Sequence, residues 1–270
     1  MDMKMVFIGA GSMAEAMIAG IIQSGFVSRE QILVTNKQNG DRLTYLQETY
    51  GVTIFKDREI IRDASIVILS TKPYDMQDAI AETKDYILPD QLVLSVIAGM
   101  ETGYIGKLLG DQHAVVRAMP NTSASIGQSA TAIAPGEYAT EAHMQLAETL
   151  FQTIGETVRI EESLMHAVTS VSGSGPAYFY YMVEALEQAA EELGLQGKIA
   201  KDLIIQTIIG AGEMLKQTNE PAAILREKIT SPNGTTEAGI RTLEAQHFQE
   251  AIVACVKQAC QRSMELGKIE

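Results

Sequence analysis

The residues of this chain best placed to do chemistry are hydroxyls and glycines, with few acids or bases among them. Residues 229–240 read ITSPNGTTEAGI, with no titratable side chain before Glu237. Ser231, Asn233 or Gly234 can each cap the helix that the following residues predict. Capping needs one such residue, and Thr235 and Thr236 exceed that need. A helix start also presents unpaired backbone N–H groups and a field that favours a carboxylate.

The second candidate lies at the other end of the chain. MVFI (5–8) runs straight into GAGSMAEAM (9–17), which fits G-x-G-x-x-A through Gly9, Gly11 and Ala14. Gly9 permits a tight strand-to-helix turn, Gly11 lets backbone approach a pyrophosphate, and Ala14 allows close helix–sheet packing. In strand–turn–helix context this predicts a dinucleotide site with phosphates on the helix start. An NAD site would carry Asp or Glu at the end of the second strand. This chain has Thr35, Asn36, Lys37 and Gln38 there. Asn36 and Lys37 can donate to a 2′-phosphate, which predicts NADPH, with NADH as the alternative.

Two further strand ends point to the same crevice. IVILSTKP (66–73) ends in Ser70, Thr71, Lys72 and Pro73, and VRAMPNTSASIG (116–127) carries Pro120 and Asn121. Ligands of doubly wound sheets bind outside the carboxyl ends of strands. VSGSGPAY (171–178) is a glycine–proline breaker before a long helix. It is similar to the glycine-rich segment of 3-hydroxyacid dehydrogenases, but AYFYYMVEAL follows without that class's lysine. That argues against alcohol oxidation in that manner.

The elements that must position these residues change character along the chain. Apolar β-branched runs at 5–8, 32–35, 66–70, 92–97 and 114–119 alternate with helical segments such as 14–22 and 41–50. Strands apolar on both faces predict a parallel sheet covered on both sides. TAIAP (131–135) and TVRI (157–160), flanking a helix over 140–152, extend it. After residue 162 the pattern is helical: 163–171, 176–193, 198–217, 221–229, 235–245 and 247–267. The expected class is α/β: an N-terminal Rossmann-type doubly wound sheet over 1–162, then an all-helical dimerisation and substrate-binding domain over 163–270. DLIIQTIIGAGEML (202–215) is apolar almost all round, so it must be covered by its own domain or by a partner subunit. A dimer made by the helical half is favoured over a central core helix.

Composition excludes several function classes. A net charge of −13 argues against binding nucleic acid or an anionic membrane. Cys255 and Cys260 point apart on a helix, and His113, His143, His166 and His247 are scattered, so no metal site is expected. MDMKMVFIGAGS runs from charge into a strand, predicting no export leader, and no apolar run is long enough to span a membrane. The expected location is the cytoplasm.

GAGSMAEAM, STKP, AMPNT, SGSGPAY and above all SPNGTTEAGIRTLE together resemble the motif set of the pyrroline-5-carboxylate reductases, in order and over essentially the whole chain. The resemblance implies NAD(P)H-dependent reduction of 1-pyrroline-5-carboxylate to L-proline by a homodimer with interlocked helical domains, often built into a decamer. It implies that Gly9, Gly11, Ser12 and Met13 cradle the cofactor phosphates, with Asn36 and Lys37 at the ribose end. Ser70, Lys72 and Pro73 would flank the cofactor, with Pro120 and Asn121 towards the nicotinamide. Ser231, Gly234, Thr235 and Thr236 would hold the substrate, Thr236 nearest the imine nitrogen. One departure is Asn233, where the family commonly has glycine. Asn is the other residue suited to a left-handed conformation. The competing readings are a reductase of another cyclic imine and a non-catalytic NADP-binding regulator.

Overall fold

The computed structural model describes residues 3–110 and 112–267. The chain forms two compact units, one running to Pro176 and resuming at Gln258, the other Ala177–Lys257.

The first unit is built on one eight-stranded sheet. Its first half comprises β1 (Met5–Ile8), α1 (Ser12–Ser24), β2 (Ile32–Thr35), α2 (Gly40–Tyr50), β3 (Thr53–Ile54), β4 (Ile66–Leu69) and α3 (Met76–Thr83). Its second half comprises β5 (Leu92–Ser95), α4 (Thr102–Leu109), β6 (Ala114–Met119), β7 (Ser129–Pro135), α5 (Glu141–Gln152), β8 (Gly155–Arg159) and α6 (Met165–Val168). Strand order is β3-β2-β1-β4-β5-β6-β7-β8. The order reverses between β1 and β4, which leaves a crevice beyond their carboxyl ends.

All neighbouring strands are parallel except β6 and β7, where Val116 faces Pro135 and Met119 faces Ala132. The fully parallel sheet expected from the sequence is corrected at this pair. The link between them is a short 3-10 turn, Thr122–Ile126, and not a crossover helix; a parallel return would need a dozen or more residues.

Alternate side chains of the central strands feed two cores. Phe7, Val34, Ile68 and Leu94 pack with Met17 and Ile18 of α1 and Leu150 of α5. Val6, Leu33, Val67 and Val93 pack with Ile80 of α3 and Ile105 of α4 on the opposite face. This is why the strands read as unbroken apolar runs.

Beyond α6 the backbone stays helical through a π-type stretch, Thr169–Gly173, and α7 (Gly175–Glu192) then begins. The second unit contains the rest of α7, α8 (Gly197–Thr218), α9 (Ala222–Lys228), α10 (Thr235–Ala245) and the start of α11 (Phe248–Gly267). Within it Ala200 is the one buried apolar residue, while Leu203, Ile209 and Met214 of α8 are each more than half exposed. Within the single chain, then, α8 is not a core helix. Among the described residues no helix is long and apolar enough to cross a membrane, and no group of three or more His, Cys, Asp or Glu could hold a metal ion.

Candidate active site

The carboxyl ends of β1, β2 and β4 open into a cavity of about 760 Å³ lined by Gly9, Gly11, Ser12, Met13, Asn36, Lys37, Ser70, Lys72 and Pro73. Nine of the sequence-expected cofactor residues are thus brought together. Thr71, named with the same strand end, lines it too, and Val96, Ala98, Arg42 and Arg58, which sequence reasoning had not singled out, join them.

Gly9 is where the turn is tightest. Its φ is +113°, and a Cβ there would lie 2.6 Å from the Ser70 carbonyl carbon and 2.8 Å from the Thr71 nitrogen. Its N–H donates to the Thr35 carbonyl at 2.9 Å, and the Ser70 hydroxyl donates to the Gly9 carbonyl at 3.0 Å. The glycine therefore locks the ends of β1, β2 and β4 to one another. Gly11 differs: a Cβ there would meet nothing within 4 Å, so its face is left open to the cavity. Gly11 also caps α1, and no side chain takes up the helix's first N–H groups. Those donors are available to a phosphate.

The far end of the crevice is thick with ion pairs. Arg42 is fixed, donating from Nε to the Ala10 carbonyl at 2.8 Å and pairing with Glu15. Glu15 also accepts from Tyr45 at 3.1 Å and Tyr50 at 3.0 Å. Burial alone would raise the Glu15 carboxyl, but these hydrogen bonds, Arg42's foremost, outweigh it and hold the group below the usual range. Burial and the same carboxylate push the Tyr50 phenol up to about 12. Arg58 bridges Glu82 at 2.7 Å and Thr35 at 3.4 Å. Lys37 pairs with Asp78 at 2.7 Å. Asn36 closes its own turn, Nδ2 donating to the Asn39 carbonyl at 2.8 Å and Oδ1 accepting from the Asn39 N–H at 3.1 Å.

The crevice fits a dinucleotide on three grounds: its volume is in the range of cofactor sites, the α1 start is uncapped, and the buried Thr71 hydroxyl has no hydrogen-bond partner. Lys72 adds a cation with no ion-pair partner among the described residues.

Pro120 and Asn121 are buried and do not line this cavity. Asn121 is a brace: Oδ1 accepts from the Ser123 N–H at 3.1 Å and Nδ2 donates to the Ser172 carbonyl at 3.3 Å. It ties the end of β6 to the SGSG segment. Nearby, Arg117 is fully buried and held by Glu162 at 3.3 Å. Its burial draws the guanidinium down from its ordinary value, and Glu162 works the other way.

In the second unit, Ser231–Gly234 is a turn closed by the Gly234 N–H on the Ser231 carbonyl at 3.0 Å. A Cβ on Gly234 would lie 2.9 Å from that carbonyl oxygen. Asn233 adopts φ +57°, the left-handed conformation, and its N–H donates to the Glu237 carboxylate at 2.7 Å. Gly234 is the cap of α10, and no side chain caps the helix. The capping role weighed for Ser231 and Asn233 is thereby corrected. Their hydroxyl and amide stay free, as do Thr235 and the half-buried Thr236, beside an open helix start.

Sheet order, glycine turn and crevice define a dinucleotide-binding oxidoreductase. The comparisons are narrower. Residues 4–99 match the family model "NADP oxidoreductase coenzyme F420-dependent", and residues 162–266 match "Pyrroline-5-carboxylate reductase dimerisation". The chain is 45% identical over 266 residues to pyrroline-5-carboxylate reductase 1 of Bacillus subtilis, covering 98% of this chain and 90% of that protein. It is 39% identical to the pyrroline-5-carboxylate reductase of Synechocystis, covering 99% and 100%. A solved reductase of that name from Coxiella burnetii superposes with a TM-score of 0.89 at 34% identity over the whole of both chains. The Plasmodium falciparum pyrroline carboxylate reductase, solved with NADP bound, gives 0.89 at 26% identity, covering 98% of each. This chain belongs to the pyrroline-5-carboxylate reductase family.

Proposed function

We propose that this chain reduces 1-pyrroline-5-carboxylate to L-proline, the last step of proline biosynthesis, in the cytoplasm. One observation carries the reading: a single chain combines a dinucleotide crevice with an uncapped, hydroxyl-rich helix start. The family membership supports it.

A protonated cyclic imine already carries positive charge on its C=N bond and accepts hydride without a strong protein acid. A ketone would need a lysine, histidine or metal to stabilise the alkoxide. Reduced nicotinamide, when bound, supplies the hydride. The chain's own task is orientation, a contribution worth about 7–11 kcal/mol of barrier when geometry is fixed. The Gly234 N–H is taken by the Ser231 carbonyl, so Gly234 shapes the turn. The Thr235 N–H at the open helix start, with the Ser231 hydroxyl, receives the substrate carboxylate. The Thr236 hydroxyl hydrogen-bonds the ring nitrogen, with no proton transfer from a protein acid required.

Gly9, Gly11, Ser12 and Met13 hold the cofactor phosphates, Ser70, Lys72 and Pro73 flank it, and Asn36 and Lys37 meet its ribose end. Pro120 and Asn121 shape the loop towards the nicotinamide. NADPH is the preferred cofactor, supported by the absence of a carboxylate at the end of β2 and by the NADP-bound Plasmodium relative. Residues 1–162 serve the cofactor, and 163–270 serve the substrate and a homodimer, with the decamer as its higher assembly.

The test follows NADPH oxidation with pyrroline-5-carboxylate, then with ring-size analogues and 3-hydroxy acids. Turnover selective for the five-membered imine is expected. Silence with every substrate beside tight NADPH binding would overturn the reading.

A further inference from the structure

The residues that would meet a 2′-phosphate are not free cations. At the Thr35 end of the crevice stand Lys37, Arg42 and Arg58, and each is already paired, with Asp78, Glu15 and Glu82 respectively. The three pairs are not equivalent. Arg42 and Glu15 are both less than a quarter exposed and are tied further by the Ala10 carbonyl and two tyrosines. Arg58 is partly buried and shared with Thr35. Lys37 and Asp78 are 48% and 65% exposed, with no second anchor on Lys37. Exposed pairs of this kind exchange readily. Lys37 is therefore the cation a ligand can recruit, and Asp78 is what the ligand must displace.

Two further carboxylates bear on that ammonium. Asp75 and Glu82 act on Lys37 from a distance, and with Asp78 they favour its charged form. Asp78 comes from the first turn of α3, 41 residues along the chain from Lys37. An acid that a dinucleotide site for NAD carries on β2 is here supplied from another element, opposite a lysine.

We propose that Asp78 sets the discrimination between the two nicotinamide dinucleotides, holding Lys37 and opposing a 2′-phosphate, so that the chain binds NADPH and NADH with more nearly equal affinity than Lys37 alone would give. The inference rests on the crevice being the cofactor site, as proposed above.

The experiment is calorimetric titration of the full chain and its Asp78→Asn, Lys37→Ala and double variants with NADPH, NADH, 2′,5′-ADP and ADP. Calorimetry is apt because the chain has no tryptophan. Asp78→Asn is expected to tighten NADPH and 2′,5′-ADP about 3- to 10-fold, with NADH and ADP within about a factor of 1.5. The gain shrinks in the Lys37→Ala background and at high salt. Glu82→Asn, on a cation already bridged to Thr35, is expected to do less. Equal tightening of all four ligands, or no change in any, would overturn the proposal. If the unaltered chain bound none of the four, the fault would lie with the cofactor reading itself.

Discussion

The two units of this molecule bury their apolar residues in opposite ways. The sheet unit encloses side chains on both faces, with Phe7, Met17, Ile68 and Leu94 fully or almost fully hidden. The unit from Ala177 to Lys257 hides Ala200 alone and leaves Phe179, Leu203, Ile209, Met214 and Val253 exposed. A segment so apolar cannot be stable in water by its own contacts. The match of residues 162–266 to a dimerisation model names the remedy: the chain self-associates. The first unit carries its stability within itself, while the second depends on another copy.

The largest expected effect strikes the dependent half. Ile209→Asp on α8 places a carboxylate in the surface that a second copy covers, costing several kcal/mol, about a hundredfold or more in association. Sedimentation equilibrium should show monomer. An unchanged mass would show that this face of α8 is not the contact.

The self-sufficient half should fail differently. Gly9→Ala forces a side chain against the Ser70–Thr71 backbone at φ +113°, costing roughly 3 kcal/mol or more. Its thermal midpoint should fall and dinucleotide binding weaken, while the subunit mass is kept. Intact binding would mean the turn is looser than its contacts indicate.

Thr236→Ala separates chemistry from both. A lost hydrogen bond to the reacting nitrogen predicts a fall in kcat/KM of about 10- to 100-fold, with NADPH affinity unaltered. Near-normal kcat and KM would sink the assigned role.

The smallest effect concerns pH. His166, within the first unit, shares a 3.0 Å contact from Nδ1 to the Ser263 hydroxyl. Burial, and then Arg117, lower its affinity for a proton below the ordinary value of 6.5. The unfolded chain thus binds the proton more readily, and stability contributed by neutral His166 is present above that value and lost as pH falls below it. Melting curves of His166→Gln should show a shallower decline over that range. An identical decline would assign the acid sensitivity elsewhere.

Much of this was legible in the residues. The unbroken apolar strands and the GAGSMA turn announced the doubly wound sheet and its crevice, because strand burial and backbone approach leave local marks. β3, only Thr53–Ile54, is too short for periodicity to register. The antiparallel turn of β7 depends on the geometry of the link after β6, not on the residues of either strand. Arg58 and Asp78 were missed for a related reason: each meets its partner across the sheet's end, where only folding brings distant segments together. Asn121 was read from its place beyond a strand, but its amide serves the Ser172 carbonyl. Asn233 shows local reasoning at its best, since a left-handed turn before α10 can be anticipated from Asn itself.

The exposed face of α8 also governs the time course of assembly. A chain whose sheet has folded, but which has not met its counterpart, presents Leu203, Ile209 and Met214 to every other sticky surface in solution. Productive pairing and irreversible clumping are both second-order encounters, and refolding yield becomes a race between them. Concentration does not settle that race, because it speeds both. What favours the productive outcome is the ratio of the two rate constants, which cooling, by weakening non-specific apolar contact, or a holding chaperone that masks the face would alter.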